Sequence, residues 1–168
     1  MTLTAPLSPA HRWIALLLLV GMAGTVLTAL GFEHIGGYIP CYLCLQQRIP
    51  YYVGAPLMAL AALGAWMNWP AWSVRMLLLS GALLMTIGLG LGVYHSGVEW
   101  GFWQGPANCA AVPSPVSTGK GILDAINTQI PPSCTDAPWR MLGLSFAGWN
   151  VVASLVLGAI AWRGALGR

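Results

Sequence analysis

Charge is scarce in this chain. Only seven of its 168 residues are Lys or Arg and four are Asp or Glu, while 57% are hydrophobic. So little polar surface cannot coat a soluble globule of this size, which places the chain in a membrane. The net charge of +3 gives no basic field that points to nucleic acid. Cysteine is equally sparse: Cys41, Cys44, Cys109 and Cys134 are all there is. His34 and His95 lack ligand spacing, and Cys109 and Cys134 lie too far apart for a second C-x-x-C, so no metal site is expected. No flavin, haem or nucleotide motif is present either.

The abundant feature is long uncharged runs. Trp13 to Phe32, Ile49 to Met67, Met76 to Tyr94 and Leu142 to Trp162 lack charge over roughly the 20 residues a bilayer core demands. They predict an all-α membrane protein: one domain over 1–168, a four-transmembrane-helix bundle with helices near 13–32, 44–67, 75–94 and 142–162. The first run is long for a signal peptide and ends without a small-x-small cleavage site, so it reads as a retained span. One end of such a bundle holds Arg12, Arg75, Arg163 and Arg168 with no acidic residue. The other sets Arg48, Lys120 and Arg140 against Glu33, Glu99, Asp124 and Asp136. Basic loops stay cytoplasmic, so both termini are expected in the cytoplasm and the loops 33–43 and 95–141 outside, in the periplasm if this is a bacterial inner-membrane protein. Trp13, Trp66, Trp69, Trp72 and Trp162 then mark one interface, and Tyr38, Tyr42, Tyr51, Tyr52, Tyr94, Trp100, Trp103 and Trp139 the other.

All four cysteines fall on the outer side, where disulfides persist. Gly36-Gly37 gives a tight turn before Pro40 opens the second helix. Cys44 then stands in or near the first turn, where free N–H groups and Arg48 at i+4 favour its thiolate. A thiolate held there against lipid makes a quinone the natural electron acceptor. Pro56 predicts a kink that either opens a lateral slot or merely shapes the bundle. In the second loop the Pro- and Ser-rich residues 112–117 read as irregular. Ile122, Leu123, Ile126 and Ile130 recur at helical spacing, predicting a short amphipathic helix that leashes Cys134 to the membrane or is an ordinary loop helix. His95 reads either as an interfacial histidine bonding a carbonyl or as a proton-handling or quinone-bonding group. Gly88-x-x-x-Gly92 reads as close helix packing, and Glu33 and Glu99 as solvated interfacial charge.

Taken in order, Pro40-Cys41-Tyr42-Leu43-Cys44-Leu45-Gln46-Gln47-Arg48, Tyr94-His95 with Gly97-Val98-Glu99, and Gly105-Pro106-x-x-Cys109 lead to Cys134 and Pro138-Trp139. Leu142-Gly143-Leu144-Ser145 and Trp149-Asn150 complete the pattern. Together they resemble the disulfide bond formation protein B family, DsbB, over nearly the whole chain. The resemblance implies a membrane oxidase that reoxidises the periplasmic thioredoxin-fold protein DsbA and passes electrons to ubiquinone or menaquinone. It also implies the roles. The partner attacks a Cys109–Cys134 disulfide at Cys109, Cys134 then attacks Cys41, and the freed Cys44 thiolate engages the quinone beside Arg48 and His95. An ordinary structural bridge would be too stable to oxidise such a partner, so this one must be labile or driven from downstream. A paralogous oxidase with another dedicated partner, a vitamin K epoxide reductase-like oxidase, and a scaffold with purely structural disulfides are the competing readings. The epoxide reductase family places its C-x-x-C late in the bundle, whereas this one opens the second helix.

Overall fold

A computed structural model describes residues 6–106, 109 and 134–167. Four helices dominate it: α1 (Pro9–His34), α2 (Tyr42–Trp66), α3 (Ala71–Glu99) and α4 (Phe146–Leu166). With 26, 25, 29 and 21 residues, all four are long and apolar enough to cross a membrane. A two-stranded antiparallel hairpin, β1 (Arg140–Met141) and β2 (Leu144–Ser145), leads into α4. The expected four-helix membrane fold is therefore present.

Its interior is built from small and pliable residues. Ala15, Met22, Met58, Ala61, Met85 and Ala161 are buried, while Leu17, Val20, Leu27, Leu83, Ile87 and Leu155 face outward. Lipid is as apolar as leucine, so helices in a bilayer are held by close packing rather than by burial from water. The α3–α4 contact illustrates this. A Cβ at Gly88 would stand 3.1 Å from Ser154 Oγ, and one at Gly92 would stand 2.9 Å from Val151 Cγ2, whereas Gly90 has nothing within 4 Å. The Gly88–Gly92 pair is a packing face, as its spacing predicts.

The two ends differ in chemistry. At one end Arg12 Nε donates to the Ala65 carbonyl at 3.0 Å and its Nη2 to Asn68 Oδ1 at 3.0 Å. Arg75, buried, donates from Nη1 to the carbonyls of Ala165 (3.2 Å) and Gly167 (2.6 Å). Both arginines thus meet the C-terminal ends of helices α2 and α4, where unpaired carbonyls favour a cation. All the described cysteines lie at the opposite end.

Several boundaries differ from the sequence reading, each for a local reason. Ser8 caps α1 and Pro9 opens it, so the helix begins ahead of Trp13. Cys41 is the N-cap of α2, which starts at Tyr42 rather than at 44, and Pro40 precedes the helix instead of opening it. Helix α3 continues past Tyr94 to Glu99, which places His95 on a helix and not in the loop. The fourth helix starts at Phe146 and not at Leu142. Leu142 (φ 53°) and Gly143 (φ 83°) form the hairpin turn, and Ser145 Oγ accepts from the Gly148 N–H at 3.2 Å as the cap. Gly37 has φ +72°, in keeping with the tight turn expected between α1 and α2. Helix α2 runs through Pro50 and Pro56 without interruption. The amphipathic stretch at 122–130 lies outside the described residues.

Candidate active site

The cysteine end begins with a helix start. Cys41 caps α2, and its sulfur accepts the N–H of Cys44, the third helical residue, at 3.3 Å. The amide that the sequence reading assigned to Cys44 therefore serves Cys41. The Cys41 and Cys44 sulfurs lie 2.8 Å apart as free thiols. The hydrogen bond from Cys44 holds the Cys41 thiol below the ordinary thiol range; burial pushes the other way, and His95 adds to the lowering. Arg48, expected to steady a Cys44 thiolate, is paired with Glu33 at the end of α1 and reaches the Ala29 carbonyl at 3.5 Å. Its charge is shared between α1 and the site.

Cys109 and Cys134 are joined by a disulfide, with Cα atoms 6.0 Å apart. Cys109 is held in a turn by its N–H bond to the Pro106 carbonyl, 3.1 Å. Cys134 is 3% exposed and packs with Cys41, Leu43 and Val98. The Cys41 sulfur, a His95 ring nitrogen and the Cys134 sulfur all lie within 4.8 Å of one another. That spacing would suit a soft metal ion, but Cys134 is already bonded to Cys109, which leaves two of the three donors free. Chemically, the arrangement is a line of four sulfurs passing from loop to helix beside an imidazole.

A cavity of about 550 Å³ opens next to the inner pair. Cys41, Cys44, Arg48, His95 and Glu99 supply polar edges, and Phe32, Tyr38, Trp139 and Phe146 supply flat walls. The four rings pack on one another, with Phe32–Phe146 centroids at 4.9 Å and Trp139–Phe146 at 5.3 Å. The hairpin holds this roof down, since the Trp149 Nε1–H donates to the Met141 carbonyl at 3.1 Å. Pro56 itself does not border the cavity.

Four of the six sequence candidates, Cys41, Cys44, Arg48 and His95, line this cavity together, and Cys134 abuts Cys41. Cys109 lies one bond further out. The reading of Glu99 as solvated charge is overturned: its side chain is 5% exposed, 3.9 Å from His95 Nε2, and it accepts a hydrogen bond from Ser145 Oγ. Glu33 is likewise engaged, by Arg48. Not assigned to the site from the sequence were Gln47, Tyr51, Asn150 and Ser154, which form a largely buried hydrogen-bonded chain behind His95. The signal was available, because polar side chains at i,i+4 on apolar spans are costly and seldom idle. The aromatic roof left no such signal, since Phe32 and Trp139 are far apart in sequence.

Known proteins resemble this chain over most of its length. The family model described as Disulfide bond formation protein DsbB matches residues 11–163. A protein of Saccharophagus degradans named "Disulfide bond formation protein B" is 32% identical over 93% of this chain and 94% of its own length. Its namesake in Marinobacter nauticus is 29% identical over 84% of this chain and 83% of its own, and one in Nitrosococcus oceani is 26% identical over 90% of each. No solved structure gives a significant match. With four spans, two cysteine pairs in contact and a family match over nearly its whole length, the chain belongs to the DsbB family of multi-pass membrane oxidoreductases of disulfide bond formation.

Proposed function

We propose that this protein is a thiol:quinone oxidoreductase of the bacterial inner membrane. It reoxidises a periplasmic DsbA-like thioredoxin-fold protein by disulfide exchange and delivers the electrons to a membrane quinone. The observation that carries this reading is the unbroken line of sulfur: Cys109 bonded to Cys134, Cys134 within 4.8 Å of Cys41, and Cys41 2.8 Å from Cys44. In this reading Cys109 receives the partner's thiolate, Cys134 carries the exchange inward to Cys41, and Cys44 faces the acceptor. The cavity has the size and character of a small-molecule site, mostly apolar with a few placed polar groups. Arg48 would hold a ring oxygen, and Phe32, Tyr38, Trp139 and Phe146 would wall a flat ring and keep water out. A bound quinone supplies an acceptor for two electrons and two protons. The arginine-rich end is cytoplasmic by the charge rule, which sets the cysteines in an oxidising compartment.

The test mixes the purified protein with a reduced thioredoxin-fold partner and a soluble quinone, and follows quinone absorbance. Partner-dependent reduction is expected. Its absence, with a verified reduced partner and an active quinone, overturns the proposal. Cys44→Ser is expected to abolish quinone reduction, and Cys109→Ser to block uptake of electrons from the partner while leaving the inner pair intact.

A further inference from the structure

Behind His95 the polar groups bond in one direction only. Tyr51 donates to Asn150 Oδ1 at 2.7 Å, which leaves the Ser154 hydroxyl, 2.8 Å away, as donor to the phenol oxygen. Asn150 Nδ2 donates to Gln47 Oε1 at 2.6 Å, and Gln47 Nε2 donates to His95 Nδ1 at 2.6 Å. The polarity is locked at both amides. Gln47 Nε2 also faces the Leu43 carbonyl and Asn150 Nδ2 the Gly88 carbonyl, each at 3.4 Å, so turning either amide over would set oxygen against oxygen. A ring whose Nδ1 accepts carries its proton on Nε2. That atom is 3.7 Å from the Cys41 sulfur, with the Glu99 carboxylate 3.9 Å away on the same side.

We propose that Gln47, oriented by Asn150, Tyr51 and Ser154, fixes His95 as the Nε2–H tautomer, so that His95 acts on Cys41 as a hydrogen-bond donor and not as a proton acceptor. The catalytic meaning rests on the sulfur line proposed above. When the Cys109 thiolate attacks Cys134 of a Cys41–Cys134 bond, the Cys109–Cys134 bond forms. The Cys41–Cys134 bond breaks, and its electron pair leaves on Cys41 as a thiolate. No proton moves in this step, and a fixed donor on the departing sulfur makes it a better leaving group. Here His95 is a catalytic residue, because it touches a reacting atom, and Gln47 and Asn150 are positioning residues. The chain of donors reinforces itself, since each bond polarises the next.

The experiment records long-range ¹H–¹⁵N spectra of the detergent-purified full chain with ¹⁵N-histidine, assigning His95 by its loss in His95→Ala. The unaltered protein is expected to give the Nε2–H pattern. In Gln47→Glu, whose carboxylate only accepts, the ring proton is expected on Nδ1, and partner-dependent turnover is expected to fall roughly tenfold, the scale of one lost hydrogen bond. Gln47→Leu, which offers Nδ1 nothing, is expected to give a mixture of tautomers and covers the case in which the buried glutamate prevents folding. An Nδ1–H pattern in the unaltered protein overturns the proposal, as does a switched tautomer with unchanged turnover. A lack of turnover in the unaltered protein sinks the proposed function instead, while the spectrum still decides the tautomer.

Discussion

At the residue scale, the pairing of Arg48 with Glu33 changes what a substitution there means. Arg48→Ala removes a group from the cavity and also strands a half-buried carboxylate. It is expected to raise the KM for quinone about tenfold, and the double variant Glu33→Gln/Arg48→Ala is expected to be less impaired than the sum of the two single changes. Steady-state kinetics with a soluble quinone checks both. The lowered Cys41 thiol gives a second prediction. With Cys109 and Cys134 bridged, only the inner pair titrates, and ultraviolet thiolate absorbance is expected to persist as pH falls below the ordinary thiol range, disappearing only through the lowered value. His95→Ala and Cys44→Ala are each expected to move that loss to higher pH, because each removes a donor to the Cys41 sulfur. The sign for stability follows: this group stabilises the folded state above the ordinary thiol range, and the contribution is lost as pH falls through the folded value.

At the element scale, the glycines of α3 separate packing from exposure. Gly92→Leu forces a side chain against Val151 and towards Asn150 Nδ2, 3.1 Å from a Cβ there. It is expected to cost about 1–3 kcal/mol and to lower the Tm in detergent, while Gly90→Leu, with nothing within 4 Å, is expected to leave the Tm unchanged. The elements also mark what the sequence could and could not disclose. Four spans were legible because a bilayer demands a fixed apolar length, and the placing of Cys44 and Arg48 on one cavity was legible because a helix brings i and i+4 to one face. The ends of the spans were not, since the caps Ser8 and Cys41 set two of them outside the uncharged runs and Ser145 sets a third inside its run. The Gln47–Asn150 bond joins α2 to α4 across the bundle, and such a pairing follows from packing rather than from sequence periodicity.

At the scale of the whole molecule, the end opposite the cysteines is tied by arginines. Arg75 gives two bonds to carbonyls at the C-terminal end of α4, and among the described residues its Nε and Nη2 have no partner. Arg75→Met is therefore expected to leave stability within about 1 kcal/mol, the lost bonds being offset by removal of two unsatisfied buried nitrogens. Arg75→Glu, which sets a carboxylate against carbonyl oxygens, is expected to prevent assembly. Thermal unfolding and yield in detergent distinguish the two outcomes.

Cys41 is 2% exposed and Cys134 3%, while Cys109 is the less buried end of the outer bridge. The line of sulfurs is thus sheathed along its middle and more open at its two ends, Cys109 and Cys44. In the proposed function a thiol arriving from solution therefore meets Cys109 before Cys134 or Cys41, so burial alone dictates at which sulfur the relay is entered.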